Sequence, residues 1–120
     1  MLRSVTDLLG HEIYLTDERW VHVCEEHPEM QAYESEVLET IQRGRRFQDS
    51  FRPDVFLYYG DFENLPADNT TIVAVVRFGF RPDGAENNFV VTAYQNFAPE
   101  EVSYETDPYH LRPRRRRALR

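Results

Sequence analysis

The chain has no lysine and only one cysteine, Cys24. A single thiol rules out an intramolecular disulfide framework. All fourteen basic residues are arginines, a usage that carries no functional reading by itself. Long apolar runs are also missing. The longest, VFLYY (55–59) and IVAVV (72–76), are far too short to span a bilayer. The first dozen residues, MLRSVTDLLGHE, contain acids and no extended apolar segment, so they do not read as a signal peptide. These absences predict a cytoplasmic protein with no membrane partner. There is no glycine-rich phosphate loop and no GxSxG nucleophile elbow. The four histidines lack close ligand spacing. His22 with Glu26 is the only weak metal pair, so neither a metal nor another cofactor is expected.

What the chain does have suits one packed domain. Its 120 residues are 41% hydrophobic, enough for a single core. The charge is divided unevenly. Arg112, Arg114, Arg115, Arg116, Arg117 and Arg120 lie in the last nine positions. Residues 1–111 therefore hold 14 − 6 = 8 arginines against 21 acids, a formal −13. A run such as RPRRRR (112–117) is either a solvated tail or an arm for nucleic acid or an acidic partner. The acidic body argues against broad, non-specific nucleic-acid binding, which depends on neutralising phosphates. No internal repeat stands out, and the arginine run is the one low-complexity segment.

Local patterns predict two helices and then strands. EIYL (12–15) reads as a short strand or an extended lead-in. Thr16 is a good N-cap, and Asp17 and Glu18 suit a helix N-terminus. Trp20, Val23, Cys24 and His27 form one apolar stripe. Pro28 disfavours helix at His27, which sets an end near Glu26. A second helix is expected from about Gln31 to Arg43, burying Val37, Leu38 and Ile41, with Gly44 as its stop and Arg43, Arg45 and Arg46 at its negative end. VFLYY follows an RPD turn and reads as a strand, residues 60–70 as a loop, and residues 71–78 and 88–95 as a long hairpin around residues 79–87. The fold class is α+β: two N-terminal helices followed by an antiparallel sheet of about four strands. Residues 1–97 form the domain, and residues 98–120 form an extended segment ending in the arginine-rich tail.

Strand alternation sorts side chains onto two faces. If Phe78 sits opposite Phe89, then Ile72, Ala74, Val76, Phe78, Phe89, Val91 and Ala93 make an apolar face for the helices. Arg77, Thr92 and Tyr94 then share the other face. A slip of one residue would undo this grouping.

Several of these residues could carry chemistry, and each has a plainer reading. Arg19, His22 and Glu26 make one polar helix face, either a solvated face with a His22–Glu26 pair or a source of acid/base catalysis. His27 is either a capping and packing residue or a ring aimed across the sheet. Arg77, a charge inside VAVVRF, is either a phosphate clamp or a strand-end residue reaching water. Thr92 and Tyr94 are either oxyanion donors or ordinary strand formers. Tyr58 and Tyr59 point to opposite faces, so one of them must meet the polar side. Cys24 lies in the apolar stripe, which makes a thiol nucleophile improbable.

The order LTDERWVHVCEEHPEM, YESEVLETIQRG, VFLYYGD, IVAVVRF, NFVVTAYQ resembles the barnase–EndoU–colicin–RelE-like (BECR) nuclease superfamily in its phage-associated branch. The likeness covers roughly residues 12–96, and its most specific pieces are the ERWxHVxxxHPE block and VVTAY. It implies an RNase-toxin-like fold and a metal-independent endoribonuclease that leaves a 2′,3′-cyclic phosphate. The implied catalytic residues are His22, His27, Arg77, Thr92 and Tyr94, with Arg19, Tyr58 and Tyr59 binding substrate. RNA is the implied substrate. A toxin–antitoxin or phage-conflict setting implies an inhibitory protein partner. The other reading is a non-catalytic module of the same fold that binds protein or nucleic acid.

Overall fold

The computed structural model describes residues 2–97; the expected C-terminal segment, residues 98–120, lies outside them. The class is α+β, with two helices on a mixed six-stranded sheet. In chain order the elements are β1 (Leu2–Thr6), β2 (Glu12–Thr16), α1 (Asp17–Glu26), a 3-10 turn (Pro28–Met30), α2 (Glu34–Arg43), β3 (Arg45–Gln48), β4 (Val55–Asp61), a second 3-10 turn (Pro66–Asp68), β5 (Thr71–Arg77) and β6 (Asn88–Asn96). The sheet order is β1-β2-β6-β5-β4-β3.

This corrects the expected architecture in three ways. Two strands precede the helices, the sheet has six strands, and it is not wholly antiparallel. β2 runs parallel to β6 through Ile13–Asn88 and Tyr14–Phe89. The additional strands β1 and β3 are the two edges of the sheet. Edge strands bury little and can be polar, so LRSVT and RRFQ show no apolar run. Arg45 and Arg46 accordingly belong to β3 and not to the end of a helix.

The helix boundaries follow local chemistry. The Thr16 hydroxyl accepts the Arg19 N–H at 3.1 Å, capping α1. The helix ends at Glu26, before His27-Pro28, as expected. Pro28 instead starts a 3-10 turn, which delays α2 to Glu34. Gly44 then stops α2 for a spatial reason. A Cβ there would lie 2.4 Å from the Thr40 carbonyl oxygen and 2.5 Å from that of Tyr59.

Val23, Val37 and Ile41 from the helices pack on Ile13, Leu15, Tyr58, Ile72, Ala74, Val76, Val90 and Ala93 from the sheet. The β5–β6 register matches the expected one from Thr71–Asn96 to Val75–Thr92. It then shifts by one residue, pairing Val76 with Val90 and Arg77 with Phe89. This bulge absorbs an extra residue in β6. Val90 therefore takes the core position expected for Phe89 and Val91. Arg77, Thr92 and Tyr94 still alternate onto the face away from the helices.

Candidate functional site

The helix-free face is built from rows of paired residues. Arg45, Tyr59, Val73 and Tyr94 form one row, and Phe47, Leu57, Val75 and Thr92 form the next. Val73 is fully buried between half-buried Tyr59 and Tyr94. Phe47 meets Tyr59 edge-on at 5.5 Å between ring centroids. Arg45 is 3.2 Å from Asp61.

The two-residue pairing of β2 with β6 leaves the rest of that side of β6 to α1 and the 3-10 turn after it, which pack against it. Here the chain brings His27 to Tyr94. Their ring centroids are 5.7 Å apart, tilted by 40°. His27 Nδ1 lies 3.8 Å from a Glu29 carboxylate oxygen. The segment is fixed to β6 by Gln95, whose amide donates to the Glu29 carbonyl at 3.2 Å. Burial pushes the Tyr94 hydroxyl above its ordinary pKa, so the group stays protonated and can donate. Two residues earlier, the Thr92 hydroxyl is buried without a hydrogen-bond partner among the described residues. A buried hydroxyl in that condition costs stability.

The other expected site residues are placed differently. Arg77 shares the face, but four residues of β5 separate it from Val73, the partner of Tyr94. That is roughly 13 Å at the usual strand rise. The Arg77 guanidinium is also engaged, donating to Asp54 at 3.1 Å. His22 is exposed on α1 and lies 3.6 Å from Glu25, one position earlier than the expected partner Glu26. Arg19 is half-buried on the first turn of α1. Of the two tyrosines, Tyr59 faces the polar side, whereas Tyr58 is turned into the core and is not available to substrate. Partial burial, and then Glu34, push the Cys24 thiol pKa up, which agrees with an unreactive cysteine.

A second polar cluster, on the helix-bearing face, escaped the sequence reading apart from Tyr58. Asp7 accepts the N–H groups of Leu9 and His11 on one oxygen and the Tyr58 hydroxyl, at 2.6 Å, on the other. His11 Nδ1 is 3.1 Å from Glu86. The Asn88 amide donates to Glu86 and to the Glu12 carbonyl. Arg46 lies 4.2 Å above the Phe56 ring. The hydrogen-bonding capacity of Asp7 and Asn88 is spent inside the cluster, which ties the β1–β2 and β5–β6 hairpins together. It reads as a latch. Only the Asx-turn pattern at Asp7 was locally visible, because His11 and Glu86 meet through the fold.

Among the described residues, no group of three or more His, Cys, Asp or Glu could hold a metal ion, and no helix is long and apolar enough to cross a membrane. Compared with protein-family models, with curated proteins and with solved structures, the chain matches none.

Proposed function

We propose that this chain is a metal-independent endoribonuclease whose chemistry is centred on His27, Tyr94 and Thr92. The observation that carries this reading is the His27–Tyr94 contact beside the unpartnered Thr92 hydroxyl. Acid/base chemistry needs a group that titrates near neutrality, and histidine is the side chain of that kind. In the proposed reaction, His27 takes the proton from a ribose 2′-hydroxyl. The 2′-oxygen bonds to phosphorus, and the bond from phosphorus to the 5′-oxygen breaks. Tyr94 donates a proton to the departing oxygen, leaving a 2′,3′-cyclic phosphate. Thr92 donates a hydrogen bond to the charged phosphoryl oxygen. Arg77, roughly 13 Å further along the same face, holds a phosphate several nucleotides away. Control of such an activity by an inhibitory protein, as in toxin–antitoxin pairs, fits this reading.

A second reading is a non-catalytic module of the same fold. The Arg77–Asp54 pair favours it, because that arginine is already satisfied within the domain. One experiment separates the two. Wild type, His22→Ala, His27→Ala and Arg77→Ala are incubated with total RNA in EDTA. The nuclease reading expects wild-type cleavage, a loss of about a hundredfold or more for His27→Ala, and little change for His22→Ala. No cleavage by wild type, or equal cleavage by His27→Ala, sinks it.

A further inference from the structure

The tetrapeptide Phe-Arg-Pro-Asp occurs twice, at residues 51–54 and 80–83. Both copies lie at the same end of the sheet, one leading into β4 and the other following β5. These are neighbouring antiparallel strands paired through Val55–Arg77. The two copies also fold alike. The Val55 N–H donates to the Arg52 carbonyl, and the Gly84 N–H to the Arg81 carbonyl, each at 2.9 Å. Proline at the second turn position presets this geometry. The copies are joined directly, since the Phe78 N–H donates to the Asp54 carbonyl at 2.7 Å.

Each turn leaves its phenylalanine in water: Phe51 is 91% exposed and Phe80 is 74% exposed. The guanidinium groups of Arg52 and Arg81 have no ion pair or hydrogen-bond partner among the described residues. The carboxylates around them are engaged. Asp49 accepts the N–H groups of Phe51 and Arg52, Asp54 holds Arg77, and Asp83 accepts the Ala85 N–H. Residues 2–97 carry 8 arginines against 17 acids, a formal −9, yet the uncommitted charges on these turns are cationic.

We propose that the paired Phe-Arg-Pro-Asp turns bind single-stranded RNA, with Phe51 and Phe80 each stacking on a base and Arg52 and Arg81 each contacting a phosphate. A flat ring beside a planar fork, repeated in the same order, matches the repeating base and phosphate of a single strand. A duplex hides its base faces from such rings. An acidic peptide would engage the arginines but give the two rings nothing to stack on. The proposal rests on the nuclease reading for its ligand, and it names where that ligand is held.

The test uses the full chain and 2′-O-methyl 12-mers, which cannot be cleaved by 2′-hydroxyl attack. Binding is followed by fluorescence anisotropy over a salt series. Replacing both rings (Phe51→Ala with Phe80→Ala) should weaken binding about tenfold per ring. Replacing both arginines (Arg52→Ala with Arg81→Ala) should reduce the slope of log affinity against log salt by about 1.4, for two single-strand phosphates. Circular dichroism should be unchanged, because all four side chains project from formed turns. Undiminished binding by the ring variant, equal affinity for duplex, or a ring-dependent complex with an octaglutamate peptide and none with RNA overturns the inference. Ring-dependent RNA binding by a protein that never cleaves RNA removes the nuclease reading alone. Cleavage with ring-independent binding removes this inference alone.

Discussion

Replacing Tyr58 with phenylalanine tests whether the latch between the β1–β2 hairpin and the body is a major source of stability. Tyr58 is 1% exposed and Asp7 6% exposed, and the hydroxyl donates to the carboxylate at 2.6 Å. Phenylalanine keeps the ring that packs in the core. It removes the donor on one Asp7 oxygen, while the N–H groups of Leu9 and His11 remain on the other. A buried, charge-assisted hydrogen bond lost in this way costs about 1.5–3 kcal/mol. Taking about 2 kcal/mol, Tm should fall by roughly 8–16 °C for a domain of this size. Urea unfolding should show a lower midpoint with an unchanged m-value. In a double-mutant cycle with Asp7→Asn, the two changes should couple by about 1 kcal/mol or more. The alkaline limb gives an independent check. Burial, and then Asp7, raise the Tyr58 pKa against the smaller opposing effect of Arg46. A group whose pKa is raised on folding contributes stability in full below its ordinary value, 10. That stability is lost as pH climbs through the folded value. Wild type should therefore lose stability above pH 10 with a slope containing one proton more than the variant, about 1.4 kcal/mol per pH unit. A loss below about 0.5 kcal/mol, or identical alkaline limbs, refutes the reasoning.

Three further outcomes are expected. Gly44→Ala should destabilise by about 2 kcal/mol or more in urea titrations, because the new methyl meets two backbone carbonyls that cannot swing aside. The Asn88 hydrogen bond, and then His11, hold the Glu86 carboxyl below its ordinary value of 4.5. Its contribution is present above that value and lost as pH falls through the depressed one, so the stability gap between wild type and Glu86→Gln in urea titrations should be widest near neutral pH and close as pH falls below 4.5. Thr92→Val should raise stability by about 1 kcal/mol, by deleting an unpartnered buried hydroxyl, and lower RNA cleavage at least tenfold; calorimetry and a cleavage assay on the same preparation check both.

How much was legible in the sequence depended on how local the cause was. The N-cap at Thr16 and the stop at His27-Pro28 bound α1 from the sequence alone. Alternation in IVAVV and FVVTAY fixes which residues share a face within each strand, and Arg77, Thr92 and Tyr94 share one because the expected register holds from Thr71–Asn96 to Val75–Thr92. The bulge between Val75 and Val76 was hidden, since either register satisfies an apolar core: Val90 fills the place as well as Phe89 and Val91. β1 and β3 were hidden because a sheet edge needs no apolar run. The parallel β2–β6 pair, the Tyr58–Asp7 bond and the His11–Glu86 contact join residues far apart in the chain, so no window contains them. The doubled Phe-Arg-Pro-Asp is plain in the sequence at residues 51–54 and 80–83. Four residues are too few to register as a repeated unit, and only their shared end of the sheet gives the repetition a physical meaning.

The two proposed sites together fix a length scale for the substrate. Phe80 bridges Glu86, and eight residues separate Glu86 from Tyr94. At about 3.3 Å per residue that is roughly 26 Å of sheet. A stacked single strand advances about 3.4 Å per nucleotide, so roughly eight nucleotides span the distance, and fewer if the strand is extended. Along the way lie Phe89 and Arg77, paired across β5 and β6. A dinucleotide held at His27 cannot reach Phe51 or Phe80, whereas a 12-mer can. Replacing both rings should therefore leave kcat/KM on a dinucleotide unchanged and lower it on a 12-mer by about a hundredfold, tenfold for each stacked base. Equal losses on both substrates would mean that the turns act on the catalytic end through the fold, and the tethering argument would fail. A loss on neither would detach the turns from the substrate, leaving the chemistry at His27 to stand by itself.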